Sequence, residues 1–259
     1  MPTRGNRLSF SEVKTVLQCS AKWKFQYLEE LPYVGNADMA FGSAIHSAIA
    51  SNFSFRIQNN QPPPVRETLK IFHHDLAEQL ESVAISEDDD HLMLEAVGDS
   101  LIRKYFNQIG DELIPIHVEH KMEAKIQGIS FLGYPDLIVQ RMGRPVFVDL
   151  KTVSKTPQTI SEEQQLQLTI YSMLYQNEPP YAPAEGQIHF LNKSTLNVNA
   201  VNTEIVDHDY QYVEKLIPSI AKIIMSGVYF PNRTNPLCSK RFCPFWQQCQ
   251  EEFSGQVKN

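Results

Sequence analysis

A chain of 259 residues, 42% of them hydrophobic, is long and apolar enough to bury a full core, so disorder is excluded as the default. Its formal net charge of -7 argues against a broadly basic protein that coats duplex nucleic acid, while leaving room for a local basic groove. No apolar run is long enough to span a bilayer and no signal-peptide core follows residues 1–5, so we expect a cytoplasmic, intracellular protein without a membrane partner. There, four cysteines read as ligands or buried thiols rather than disulfides.

In chain order, Ser9 or Ser11 can cap a first helix that carries Val13, Val16 and Leu17 on one side, with Cys19 after it. Trp23, Phe25, Tyr27 and Leu28 form a second apolar segment, with Lys14, Lys22 and Lys24 interleaved. Such a mixture can bind nucleic acid by charge and stacking, but a helix with a core face and a wet face also explains it, and we favour that reading. Residues 37–57 are spaced as a buried helical stripe: Ala37, Phe41, Ala44, Ile45, Ala48, Ile49 and Phe53. His46 borders the stripe, where a histidine is usually a satisfied boundary residue. Gly42, one turn earlier, would let another element approach it closely.

Pro62–Pro64 break the chain, and helical segments over 65–84 and 91–110 follow, an expected helical insertion within 60–112. Between them, Ser86–Asp90 reads as a solvated acidic loop and helix start rather than a metal site. Strands are expected over 114–126, over 129–140 across Gln127-Gly128, and over 145–151 across Met142-Gly143-Arg144. Glu119, in the first of these, can face a site or solvent. The stretch Gly133–Lys151 organises the rest, because it carries Asp136, Asp149 and Lys151. In its second strand Val146, Val148 and Leu150 share one face, and Phe147, Asp149 and Lys151 the other. Like-charged carboxylates buried side by side are costly unless something positive lies between them, and a divalent cation is the simplest candidate. The bland alternative is a solvated hairpin in which Asp149 and Lys151 form a modest surface pair.

Ser161-Glu162-Glu163-Gln164 opens a helix over 161–176 as a capping box, and Gln167 and Tyr171 share one face of it. Strands near 186–192 and 197–205 and a helix from Asp207 to about Met225 complete an α/β pattern, a mixed sheet flanked by helices with no internal repeat. The tail holds Cys238, Cys243 and Cys249, and Cys19 lies near the other end. Four thiolates suit zinc or an iron–sulfur cluster; one distant ligand with three clustered ones is unlike paired zinc knuckles, so iron–sulfur is preferred and zinc kept as the alternative.

Taken together, Gly42-x-x-x-His46, Gly133-Tyr134-Pro135-Asp136, Asp149-Leu150-Lys151, Gln167-x-x-x-Tyr171 and the four cysteines form an ordered set. The set resembles the RecB-like branch of the PD-(D/E)xK nuclease superfamily, and most of all its iron–sulfur members, the CRISPR-associated RecB-like exonucleases and AddB-type nuclease domains. That resemblance implies a restriction-endonuclease-like mixed central sheet flanked by helices, a single nuclease domain over 1–259, and a metal-dependent DNA exonuclease acting on single-stranded ends. It implies that His46, Asp136, Asp149 and the carbonyl of Leu150 hold Mg²⁺ or Mn²⁺, that Lys151 orients the attacking water, and that Gln167 and Tyr171 position DNA or Lys151. Cys19 with Cys238, Cys243 and Cys249 would hold a 4Fe–4S cluster tying the two ends of the chain. Recombination, repair or CRISPR adaptation is the implied setting, with a helicase or CRISPR integrase complex as partner. A non-cleaving scaffold subunit and an endonuclease on the same core are the alternatives. Two departures stand out: four residues separate Cys238 from Cys243 where the family commonly has two, and Asp149 stands where many superfamily members have Glu.

Overall fold

The computed structural model describes residues 7–33, 35–83, 91–175 and 185–258. Its elements begin with β1 (Leu8–Ser9), α1 (Phe10–Gln18), α2 (Ser20–Trp23), a π-helical turn (Lys24–Leu28), α3 (Ala37–Asn59), α4 (Val65–Leu80) and α5 (His91–Gln108). Then come β2 (Ile114–Val118), β3 (Met122–Ile126), β4 (Ile129–Gly133), β5 (Leu137–Arg141) and β6 (Arg144–Val153). Last are α6 (Glu162–Tyr175), β7 (Glu185–Asn192), β8 (Asn197–Glu204), α7 (Asp207–Ser226) and α8 (Trp246–Phe253). These group into two compact units. One collects Met1–Val34, Glu123–Gly133 and Asp207–Asn259; the other collects Gly35–Met122 and Tyr134–Val206.

The second unit is built on a five-stranded sheet in the order β2-β5-β6-β7-β8, in which β6 and β7 run parallel and the other pairs antiparallel. Val146, Val148 and Leu150 of β6 join one buried cluster with the apolar stripe of α3 and with Leu69, Phe72, Leu101 and Tyr105 of α4 and α5. On the opposite face Phe147 meets the rings of Tyr171 and Tyr175 from α6 at 6.1 and 5.7 Å. The strand is therefore clamped between helices, as its apolar alternation requires. Helix α3 starts where the Asn36 side chain accepts from the Met39 N–H and stops at Asn60, whose left-handed backbone suits a C-cap. The capping box at Ser161 is formed: Gln164 N–H donates to Ser161 Oγ and Ser161 N–H to Gln164 Oε1.

In the first unit, α1 opens on a second capping box between Ser9 and Glu12, and Cys19 ends it with extended backbone while its sulfur accepts from the Lys22 N–H of α2. Trp23 and Phe25 are buried, so the core-face reading of the aromatics holds for them; Leu17 and Leu28 are exposed, against expectation. A small sheet ordered β1-β4-β3 contributes β4 to this unit, β1 lying parallel to β4. The two ends of the chain are joined by Ala21 N–H to Phe230 O, Phe230 N–H to Ser20 Oγ, and the Asn232 and Asn235 amides to Gln18 O.

Two expected strands are each broken in the middle. Residues 114–126 split at Glu119, whose φ is +45°, and residues 129–140 split at Tyr134-Pro135-Asp136. Proline has no N–H for the ladder and restrains the residue before it, so the second break is local chemistry. Asp136 consequently sits in a bend rather than in a strand. The acidic run Ser86–Asp90 lies outside the described residues. Helix α8, which holds Cys249, was not expected. Among the described residues no helix is long and apolar enough to cross a membrane.

Candidate active site

Three elements of the second unit bring the expected groups together. From α3, His46 Nδ1 lies 3.3 Å from Asp136 Oδ1. The other Asp136 oxygen accepts from the Leu150 backbone N–H at 2.7 Å, which fixes the bend before β5 against β6. From β6, Lys151 Nζ lies 2.8 Å from Asp149 Oδ2 and donates a charge-assisted hydrogen bond to it. Four groups drawn from positions 46, 136, 149 and 151 thus share one locus.

Their electrostatics are unequal. Burial would raise the Asp136 carboxyl, but the facing His46, the Leu150 N–H and Lys151 outweigh it and hold the carboxyl below its ordinary value. Asp149 is pushed up by burial, with Lys151 opposing and the neighbouring Asp136 adding to the rise. Burial pulls His46 and Lys151 down, yet Asp136 carries His46 above its usual value and Asp149 does the same for Lys151. A cluster with one settled carboxylate and one frustrated carboxylate favours an added cation beside Asp149. The donor set of one imidazole and two carboxylates suits a divalent metal, although among the described residues the ligand atoms of His46, Asp136 and Asp149 do not all lie within 4.8 Å of one another.

Gly42 does what its position suggested. A side chain placed there would have its first carbon 3.0 Å from Thr152 Oγ1, so α3 meets the end of β6 through the missing Cβ one turn before His46. Gln167 and Tyr171 act at one remove from the carboxylates. Gln167 Nε2 donates to Tyr171 Oη at 3.1 Å, and Tyr171 Oη donates to the Tyr134 carbonyl at 3.1 Å, tying α6 to the bend that carries Asp136. Burial together with Asp149 and Asp136 keeps the Tyr171 phenol protonated.

Sequence reasoning missed Glu163, whose charge raises the Lys151 pKa. Its spacing was visible: Glu163, Gln167 and Tyr171 recur every fourth residue along α6. Glu119 is exposed, and its N–H donates to the Asp136 carbonyl, so its backbone serves the bend.

All four cysteines belong to the first unit, are free of disulfides, and line one cavity of about 30 Å³ with Phe25, Phe245 and Trp246. Burial raises the Cys243 and Cys249 thiols, opposed at Cys249 by Arg233, whose Nη2 lies 3.7 Å from its sulfur. Among the described residues no three of the sulfurs lie within 4.8 Å of one another.

A family model described as the PD-(D/E)XK nuclease superfamily matches residues 7–250. Among solved structures, the chain is similar to a protein from Eubacterium rectale described as a "putative exonuclease", with a TM-score of 0.63 at 13% identity, covering 98% of this chain and 90% of that one. At that identity the likeness concerns the fold. A second structure, of SSO0001, overlaps 91% of this chain and 95% of that one at 14% identity, with a TM-score of 0.36. Comparison with curated proteins returned no match.

Proposed function

The chain belongs to the PD-(D/E)XK nuclease superfamily, and on that premise we propose that it is a DNA exonuclease that hydrolyses phosphodiester bonds from single-stranded ends with Mg²⁺ or Mn²⁺. The observation that carries the reading is the meeting of His46, Asp136, Asp149 and Lys151 at one locus, where burial pushes up the Asp149 carboxyl against the opposing Lys151 ammonium. His46, Asp136, Asp149 and the Leu150 carbonyl would hold the metal. A divalent ion bound there supplies Lewis-acid polarisation of the phosphoryl oxygen and lowers the pKa of bound water.

The protein's own groups do the remaining work. Lys151, cationic at neutral pH, orients the attacking water and offsets negative charge that develops on the phosphoryl oxygens. Asp149 anchors the Lys151 ammonium through the ion pair. Gln167 and Tyr171 act as positioning residues, because they hold the Tyr134 carbonyl and through it the bend that presents Asp136. Preference for ends and for single strands, and a place in the RecB-like branch beside a helicase or CRISPR integrase, rest on the ordered motif set from Cys19 to Cys249. The arrangement of one distant and three clustered cysteines along the sequence is what favours a 4Fe–4S cluster over zinc as the group held by Cys19, Cys238, Cys243 and Cys249.

End-labelled linear DNA, single- and double-stranded, incubated with Mn²⁺ beside a closed circle, tests the activity. We expect linear single strands to shorten from an end, the circle to persist, and Lys151→Ala to lose at least about a hundredfold in rate. Nicking of the circle would make it an endonuclease. Intact DNA in every lane, indistinguishable from Lys151→Ala, leaves only a non-cleaving subunit.

A further inference from the structure

The stretch Lys215–Gln250 is unlike the rest of this acidic chain: it carries five Lys or Arg and no Asp or Glu, in a protein with thirty acidic residues. The first unit accordingly holds twelve basic against nine acidic residues, while the second holds eleven against twenty-one. Within that stretch, charge and aromatic rings are interleaved on one loop. Lys240 Nζ sits 5.3 Å over the Trp246 ring and the Arg241 guanidinium 5.3 Å over the Phe242 ring. Phe242 is 52% exposed and is one of the residues that line the cysteine cavity. The backbone pairs Lys240 N–H with Lys258 O, which brings the backbone of a third exposed lysine to this loop. Of the acids that follow, Glu252 is engaged by Lys24.

We propose that this loop, residues 239–246 with Lys258, is a platform for a single nucleic-acid strand, in which Lys240, Arg241 and Lys258 meet phosphates and Phe242 receives a base. Phe242 and Trp246 have apolar neighbours, Leu237 among them, in the cavity they help line, and it is the cations set over both rings that favour a nucleic-acid strand over an apolar protein face. Rings dressed with ammonium and guanidinium groups suit the alternation of phosphate and base along a strand. Duplex DNA hides its base faces, so the ring specifies an unpaired strand. The proposal needs neither the metal nor cleavage, and so goes beyond the nuclease reading.

The test measures binding of a fluorescein-labelled oligo(dT) to the full chain, purified without oxygen, in EDTA and across a salt series. Replacing both cations, Lys240→Gln with Arg241→Gln, is expected to weaken binding roughly twentyfold at 0.1 M salt and to flatten the slope of log K against log salt by about 1.4. Phe242→Ala is expected to weaken binding fivefold or more with the slope unchanged. Circular dichroism of each variant verifies the fold; these side chains are exposed, so it is expected to match the parent. Parental affinity and slope in the charge variant would overturn the proposal and assign the loop to another partner, such as an acidic protein face. A Phe242→Ala protein that binds like the parent would overturn the stacking on which strand selectivity depends. Because EDTA silences metal-dependent cleavage, failure here is distinct from failure of the nuclease reading.

Discussion

At the scale of single residues, the two acids of the site are chemically alike and energetically opposed. Asp136 is satisfied by His46 and the Leu150 N–H, so the folded chain favours its charged form. Asp149 is buried beside Asp136, and burial outweighs the opposing Lys151 ammonium, so folding shifts it toward its neutral form. The linkage signs follow. A depressed carboxyl adds stability above its unfolded pKa that is lost as pH falls through the folded one, and a raised carboxyl subtracts stability at neutral pH. Asp136→Asn should therefore cost about 2 kcal/mol in EDTA at pH 7, a fall of roughly 4–8 °C in Tm for a body of this size. Asp149→Asn should melt within about 2 °C of the parent, because Lys151 keeps the charges of Asp136 and Glu163 and a partly exposed side chain. Both variants should be inactive. Equal losses of stability would show that the imbalance between the two carboxyls is not real. Alternation along β6 was enough to place Asp149 and Lys151 on one face; the supports of Asp136 were hidden, because a backbone N–H and a carbonyl leave no mark in side-chain spacing.

Elements were legible where one period ran unbroken, as in α3 and β6, and illegible where two breaks had to be read together. Glu119 and Pro135 interrupt separate strands, yet Glu119 N–H bonds the Asp136 carbonyl, so the breaks face each other and redirect the chain into a second sheet. Neither break is strong alone, since Glu119 is neither glycine nor asparagine. Packing between helices is likewise set by a detail that periodicity cannot weigh. Gly98 of α5 lies against Phe72 of α4, and a first side-chain carbon there would fall 2.0 Å from the ring. Gly98→Ala gains about 1 kcal/mol of helix propensity, but overpacking of 1–3 kcal/mol or more opposes it, and at 2.0 Å the clash dominates. We expect a net loss of about 1–2 kcal/mol in urea unfolding, largely recovered when Phe72→Leu is combined with it. Full stability of Gly98→Ala alone would mean that α4 and α5 can slide apart freely, contrary to the buried Phe72.

For the whole molecule, one family model spans residues 7–250, and within that span the chain's contacts form two interleaved units, the first assembled from three separate segments. Such interleaving has no local signature; it depends on which distant segments meet, and here the meeting of Cys19 with the tail is its one visible trace. Closing a loop of roughly 220 residues through metal–thiolate bonds is worth at most about 5 kcal/mol by chain-entropy arithmetic. The true figure is smaller, because the Ala21 N–H donates to the tail, and Ser20 Oγ and the Gln18 carbonyl accept from it, so hydrogen bonds already join the ends. Both tryptophans of the chain, Trp23 and Trp246, lie in the first unit, so tryptophan fluorescence reports on that unit alone. Protein isolated without oxygen should be brown, with iron and sulfide each near about four per chain. Cys19→Ser should lower its fluorescence melting midpoint by roughly 10 °C, the equivalent of about 2 kcal/mol in a unit of about 100 residues. A colourless protein with one zinc per chain and an unshifted midpoint would remove the cluster and, with it, the reason for four thiols to gather where two ends of the chain meet.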